Sequence, residues 1–135
     1  MLFLTGLKWT GITNDNVYKC IIEEGLNMKK ESIDTAIDKF RKKLIERFGN
    51  EIETYLFGSV ARGDYKDYSD IDILVLLPFE PNNSIEEQIF DLAYDVGLKY
   101  NVVFGIIVYS RAFWNSGIAS VMPIHENIER ERISV

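Results

Sequence analysis

Apolar residues recur at helical spacing from Lys29 onward. They follow one another at steps of three or four with charged residues between them, as Ile33, Ala36, Ile37, Phe40, Leu44 and Phe48. Gly49 comes directly after this series and is a typical helix stop. The pattern predicts an amphipathic helix over 29–48. Residues 1–28 keep neither a helical nor a strand period. We therefore expect them to form an N-terminal extension, with one domain over 29–135.

Three later segments have the patterns of β-strands. Apolar and polar residues alternate from Ile52 to Phe57, which predicts a short strand ending at Gly58. Ile71 to Leu77 is almost continuously apolar, which predicts a strand buried on both faces. Val102 to Tyr109 is rich in β-branched residues and predicts a third strand.

Two further helices complete the predicted fold. Ser84 to Glu87 has the form of a capping box and opens an amphipathic segment that ends at Gly97. A weaker pattern from Val121 to Arg130 predicts a last helix, with the mixed charges of Glu126 to Arg132 on its solvated face. The order of elements predicts an α/β (α+β) two-layer fold, in which helices pack on a small mixed sheet.

Composition narrows the classes of function. The chain has 135 residues, 47% of them hydrophobic, and a net charge of −6, which argues against an extended nucleic-acid surface. The single cysteine, Cys20, forms no intrachain disulfide, and the single histidine, His125, excludes a multi-histidine metal centre and is expected to pack or lie at the surface. No apolar run reaches the roughly 20 residues that cross a bilayer. We expect a cytoplasmic protein.

The connection between the first two strands carries the candidate chemistry. The first strand runs into Gly58-Ser59, where a short helical turn could begin, and Gly63 would end that turn. Backbone N–H groups at Gly58 and the Ser59 hydroxyl could bind a phosphate group. The alternative is an ordinary strand-to-helix turn with a serine cap.

Asp70 and Asp72 lie two residues apart at the start of the second strand. Side chains at this spacing project from the same face of a strand, so both carboxylates can converge on one ion. Burying two like charges without a cation costs several kcal/mol, on the order of the penalty for an unpaired buried ion, and Mg²⁺ or Mn²⁺ relieves it. The alternative is a pair of exposed residues that mark the strand entry.

These features together resemble the signature of the DNA polymerase beta-like nucleotidyltransferase superfamily. The matching residues, across a strand-turn-strand unit, are Gly58-Ser59, Arg62-Gly63 and Ser69-Asp70-Ile71-Asp72. Specifically, the chain is similar to the minimal nucleotidyltransferase family, whose members often pair with a helical HEPN protein as antitoxin and toxin. The resemblance covers about residues 29–109.

The resemblance implies roles for five residues. Gly58 and Ser59 would bind the triphosphate of ATP, while Asp70 and Asp72 would be the catalytic residues that bind Mg²⁺ or Mn²⁺. Arg62 would lie beside the phosphates, with a surface ion pair to Asp64 or Asp67 as the alternative.

One departure from the family leaves two functions open. Active members usually carry a third carboxylate on a later strand, but the matching segment, Asn101 to Tyr109, contains no acid. Asp91 and Asp95 are expected on the outward face of their helix. The first hypothesis is transfer of AMP from ATP to a hydroxyl of a HEPN partner. The alternative is a weakly active or inactive nucleotide-binding module that docks on a partner. Transfer to a small molecule is disfavoured for lack of a substrate domain, and a homo-oligomer stays open.

Overall fold

The computed structural model describes the backbone of residues 14–135 and the side chains of residues 29–135. The expected extension over 1–28 falls in part on residues 1–13, which lie outside the described residues. The chain divides into two units, Met1–Ser32 and Ile33–Val135. The described part of the first unit is helical, and the second unit holds the sheet and the core.

The first helix, α1, spans Asn14–Phe48 and therefore begins earlier than the predicted start at Lys29. Its early part has no proline, and a helix that already exists extends at little cost even through Gly25. Its predicted end is confirmed. Gly49 adopts a left-handed φ of +97°, and its N–H donates to the Ile45 carbonyl at 2.8 Å.

Within the described residues, four strands form one mixed sheet in the order β3-β2-β1-β4. They are β1 (Glu53–Phe57), β2 (Ile71–Leu77), β3 (Phe104–Ser110) and β4 (Ile133–Ser134). β1 is antiparallel to β2 and β4, whereas β2 and β3 run parallel. The three predicted strands and the mixed sheet are confirmed. β4 was not predicted, because two residues are too short to show a period.

The remaining helices are α2 (Gly58–Arg62), α3 (Asn83–Tyr100), α4 (Arg111–Trp114), α5 (Gly117–Ser120) and α6 (Pro123–Glu131). The predicted cap of α3 at Ser84 is wrong. Asn82 caps the helix instead, and its Oδ1 accepts the Ile85 N–H at 2.9 Å. None of the helices in the described part of the chain combines the length and the apolar character that a membrane span requires.

β2 is buried on both faces, as its apolar run predicts. Its odd-numbered residues join the core formed with α1 and α3. Its even-numbered residues Leu74 and Leu76 pack on the other face with Trp114 and Ile128. The strand that carries Asp72 is therefore fixed between two hydrophobic clusters.

The C-terminal segment is anchored to the second cluster and to β1. The Trp114 indole N–H donates to Glu129 at 2.6 Å, and the His125 ring packs 4.4 Å from the Trp114 ring, which confirms the packing role expected of this histidine. The Thr54 hydroxyl donates to the Val135 carbonyl at 2.7 Å. These contacts hold the end of α6 beside the sheet.

Substitution of Phe40 tests whether α1 contributes to the hydrophobic core. The Phe40 side chain is 1% exposed, and its ring lies 5.1 Å from the Phe104 ring of β3. We expect Phe40→Ala to lower the free energy of unfolding by about 3–5 kcal/mol, because it leaves a cavity. Chemical denaturation measures this. The exposed neighbour Lys43 serves as the control, since Lys43→Ala is expected to stay within about 0.5 kcal/mol of wild type. Equal losses in both variants would contradict the packing described.

Candidate active site

A tight turn joins β1 to α2 at Gly58. The glycine adopts φ +75°, a left-handed conformation that side-chain-bearing residues rarely occupy. α2 is only five residues long, and its Ncap residue, Phe57, makes no side-chain capping hydrogen bond. Gly63 ends the helix with φ +82° and donates its N–H to the Ser59 carbonyl at 2.9 Å. The predicted turn between Gly58 and Gly63 is therefore present.

The Asp72 carboxylate lies between two glycine backbones. In the sheet, Asp72 pairs with Phe57 on β1 and with Gly105 on β3. A Cβ atom built on Gly58 would lie 2.2 Å from Asp72 Oδ2, and one on Gly105 would lie 2.7 Å from Oδ1. Both distances are shorter than real Cβ contacts allow. The carboxylate fits only because both neighbours lack side chains.

Asp70 and Asp72 form an electrostatically strained pair. Asp70 is exposed and Asp72 is half-buried. Burial is the main cause that raises the pKa of Asp72, and the charge of Asp70 raises it further, while Arg62 lowers it and Glu131 adds to the increase. Neither carboxylate accepts a hydrogen bond from, or forms an ion pair with, another described residue. A cation is the partner that such a pair lacks.

The donor set of this pair fits a divalent ion that is shared with a substrate. Mg²⁺ is commonly held by one or two carboxylates together with substrate phosphates and waters. Among the residues that the structure describes, no three His, Cys, Asp or Glu side chains gather into a complete metal site. The described residues thus offer two carboxylates at this point, and the further ligands of an ion bound there would come from substrate or solvent.

Ser59 and Arg62 lie on α2 next to this pair. Ser59 is half-buried, and Arg62 is exposed at the last turn of the helix. The Arg62 guanidinium forms ion pairs with Asp64 at 3.3 Å and with Glu131 at 3.0 Å. The ion pair with Asp64, one of the two alternatives weighed for this arginine, is present.

Glu131 is a site residue that the sequence analysis missed. The mixed-charge segment was expected to be solvated, but the Glu131 side chain is only 18% exposed. Its Oε1 accepts the Gly58 N–H at 3.0 Å, and its Oε2 accepts from Arg62 at 3.0 Å. One signal could have revealed it: Glu131 follows the buried Ile128 by three residues, so both lie on the same face of α6.

No carboxylate stands on β3, in agreement with the sequence. The residue in register with Asp72 is Gly105, which has no side chain. Asp91 and Asp95 are exposed on α3, as expected, and do not join the site. Glu131 on α6 is the second acid, after Asp70, whose charge acts on Asp72.

Known proteins are similar to this chain in sequence. The sequence model of the nucleotidyltransferase domain family matches residues 37–130. The protein adenylyltransferase MntA of Thermococcus cleftensis is 36% identical over 83 residues, which cover 56% of this chain and 83% of that protein. A protein of Methanocaldococcus jannaschii that is named as a candidate protein adenylyltransferase is 35% identical over 99 residues, or 73% of this chain and 92% of that protein.

A solved structure has the same fold. It is a chain of a toxin–antitoxin complex crystallised with AMP-PNP, with a TM-score of 0.50 and 19% identity over 70% of this chain and 68% of that chain. The family match includes the Gly58 turn, both aspartates and nearly all of α6. The chain therefore belongs to the nucleotidyltransferase domain family, and its relatives place it among the minimal nucleotidyltransferases.

Proposed function

We propose that this protein is a metal-dependent protein adenylyltransferase of the cytoplasm, which transfers AMP from ATP to a hydroxyl group of a HEPN-type helical toxin and so acts as an antitoxin. The observation that carries the proposal is the position of Asp72. Its carboxylate is fixed between the backbones of Gly58 and Gly105, next to Asp70 and without a donor from the described residues. A carboxylate in such surroundings, beside a second carboxylate and without a hydrogen-bond donor, suits the binding of a cation.

The turn supplies the groups that bind the triphosphate. The Gly58 N–H, the Ser59 hydroxyl and the Arg62 guanidinium lie within five consecutive residues. Amide, hydroxyl and guanidinium donors all suit phosphate oxygens, and the arginine can bind two oxygens at once. The Asp72 carboxylate borders the Gly58 backbone on the side where a Cβ atom would lie, so a phosphate on the Gly58 N–H would be close to the aspartate pair.

Asp70 and Asp72 would hold Mg²⁺ or Mn²⁺. When bound, the metal supplies positive charge to the phosphate oxygens on which negative charge develops. The two aspartates orient this charge, and Asp72 is the more firmly placed because it is half-buried between two backbones, whereas Asp70 is exposed. The ion also removes the repulsion between the two carboxylates.

The reaction is the displacement of pyrophosphate. The acceptor oxygen forms a bond to the α-phosphorus, the bond from this phosphorus to the bridging oxygen breaks, and the hydroxyl proton passes to solvent or to a nearby carboxylate. Positioning and electrostatic stabilisation account for most of the catalysis in such transfers. The lack of an acid on β3 is consistent with this emphasis on positioning.

A partner protein is the most suitable source of the acceptor hydroxyl. The described elements form one small sheet with its helices. The relatives named as protein adenylyltransferases support a protein acceptor, and the toxin–antitoxin complex with AMP-PNP supports a toxin as that protein. A tyrosine of a HEPN toxin is the acceptor that we propose.

Removing the two site carboxylates should abolish transfer. We expect Asp70→Asn and Asp72→Asn each to reduce the labelling of protein by α-phosphate-labelled ATP and Mg²⁺ by roughly 10²-fold or more, since single electrostatic groups contribute about that much. The measurement is incorporation of label into proteins of a lysate from the source organism, followed by identification of the labelled protein.

Asp91→Asn is the matched control, because Asp91 is an exposed aspartate on α3 outside the site. This variant should label like wild type. Equal labelling by the Asp72 variant would contradict the proposed site. ATP binding without any labelling by wild type would favour the alternative of a nucleotide-binding module that docks on its partner.

The glycines provide a second test. Gly58→Ala and Gly63→Ala both place alanine at a left-handed φ, a strain of about 1–2 kcal/mol. Only at Gly58 would the new Cβ atom also collide with Asp72, since nothing lies within 4 Å at Gly63. We expect Gly58→Ala to lose up to about 10²-fold more AMP transfer than Gly63→Ala, because the carboxylate must move.

Gly105→Ala separates the two effects further. The backbone of Gly105 is not left-handed, so the alanine is disfavoured only by the 2.7 Å distance between its Cβ atom and Asp72 Oδ1. This variant should keep most of its thermal stability and still lose transfer. Thermal unfolding and labelling are measured on the same preparations. Full activity of Gly105→Ala would contradict the requirement for a fixed Asp72.

A further inference from the structure

We propose that the Glu131 carboxylate occupies the place of a nucleotide phosphate in the nucleotide-free protein, and that Glu131 has to leave Gly58 and Arg62 before a triphosphate can bind. This inference rests on the proposed function, in which the same two residues hold the triphosphate. It assigns a gating role to the side chain of Glu131, the last residue of α6, and the sequence of this helix does not suggest that role.

The contacts of Glu131 are those expected of a bound oxyanion. One carboxylate oxygen accepts the backbone N–H of Gly58, and the other accepts from the Arg62 guanidinium, both at 3.0 Å. Together they span the donors on both ends of α2. The hydrogen bond from Arg62 is the main cause that lowers the pKa of Glu131, so the group is a full anion at neutral pH.

Glu131 and a phosphate compete for the Gly58 N–H. The Gly58 N–H has a single hydrogen, which makes one strong hydrogen bond, so a phosphate oxygen at this point must displace the carboxylate. A triphosphate also brings several negative charges close to Glu131, and like charges at short range repel. Binding of nucleotide therefore includes the loss of the Glu131 contact with Gly58, and charge repulsion from the phosphates drives the carboxylate away from Arg62 as well.

The backbone that carries Glu131 is firmly held. Ile128 is 1% exposed within the hydrophobic cluster on β2, and Glu129 accepts from the Trp114 indole. On the other side, the Arg132 guanidinium lies 4.1 Å from the centre of the Tyr55 ring. Since both flanks are fixed, Glu131 is released by rotation of its side chain while α6 stays in place.

A second role for Glu131, as the third metal ligand, would have the opposite consequence. Its charge acts on Asp72, but its oxygens are engaged by Gly58 and Arg62, and the described acids do not form a three-ligand metal site. Removing a metal ligand would weaken the binding of Mg²⁺-ATP. Removing a competing anion strengthens it.

Titration calorimetry on the full chain distinguishes these roles. The ligands are ATP with Mg²⁺ and inorganic tripolyphosphate without metal, titrated into wild type and Glu131→Gln. The glutamine keeps the size of the side chain but has no charge. We expect the dissociation constant of Glu131→Gln for both ligands to fall by about tenfold, the factor for one charge-assisted contact that no longer has to be broken. The ligand-free variant should also unfold at a lower temperature than wild type.

Glu126→Gln is the matched control, because it removes the same charge from the exposed first turn of α6. It should bind both ligands like wild type. If wild type binds the ligands and Glu131→Gln binds them no more tightly than wild type, the gating role is overturned and the proposed function stands. No binding by any variant overturns both. Tighter tripolyphosphate binding without AMP transfer supports the gating role and contradicts the transferase.

Discussion

The site depends on the approach of three backbones around one carboxylate. Asp72 on β2 has β1 on one side and β3 on the other, and the two residues whose backbones border its carboxylate, Gly58 and Gly105, carry no Cβ atom. The register of the sheet fixes this approach, since a shift of one residue would turn Asp72 to the opposite face. The left-handed turn at Gly58 and the short helix that follows it carry the chain away from β1 beside Asp72.

Charge in the site is unbalanced in the absence of a ligand. The charges of Asp70 and Glu131 act on the Asp72 carboxylate, and the charge of Arg62 opposes them. Arg62 forms its ion pairs with Glu131 and Asp64, so the repulsion between Asp70 and Asp72 is not neutralised by an ion pair with this arginine. With metal and nucleotide bound, the cation would contact the two aspartates, and the phosphates would replace Glu131 and Asp64 as the partners of Arg62. The proposed substrate would therefore bring positive charge to the aspartates and negative charge to the arginine.

The sequence predicted the parts of the fold that a repeating pattern encodes. The apolar run of β2 matched its observed bounds, and the stop at Gly49 was confirmed. Features that depend on distant contacts were missed. β4 exists only because it pairs with β1, and the cap of α3 moved to Asn82 because a single side-chain hydrogen bond decides it. Among the site residues, Glu131 gives no local signal of its contact with Gly58, which lies 73 positions away in the chain.

The crowding around Asp72 also limits how this protein can vary between species. Any side chain at position 58 or 105 would enter the space of the carboxylate, so the two glycines are constrained by position 72 as much as by their own backbones. Substitutions at the three sites are therefore coupled. In a lineage that replaced Asp72 by a smaller residue, position 105 could carry residues other than glycine. Position 58 would still favour glycine because of its positive φ. An alignment of relatives should thus show joint variation at 72 and 105 wherever the ancestral chemistry has been abandoned.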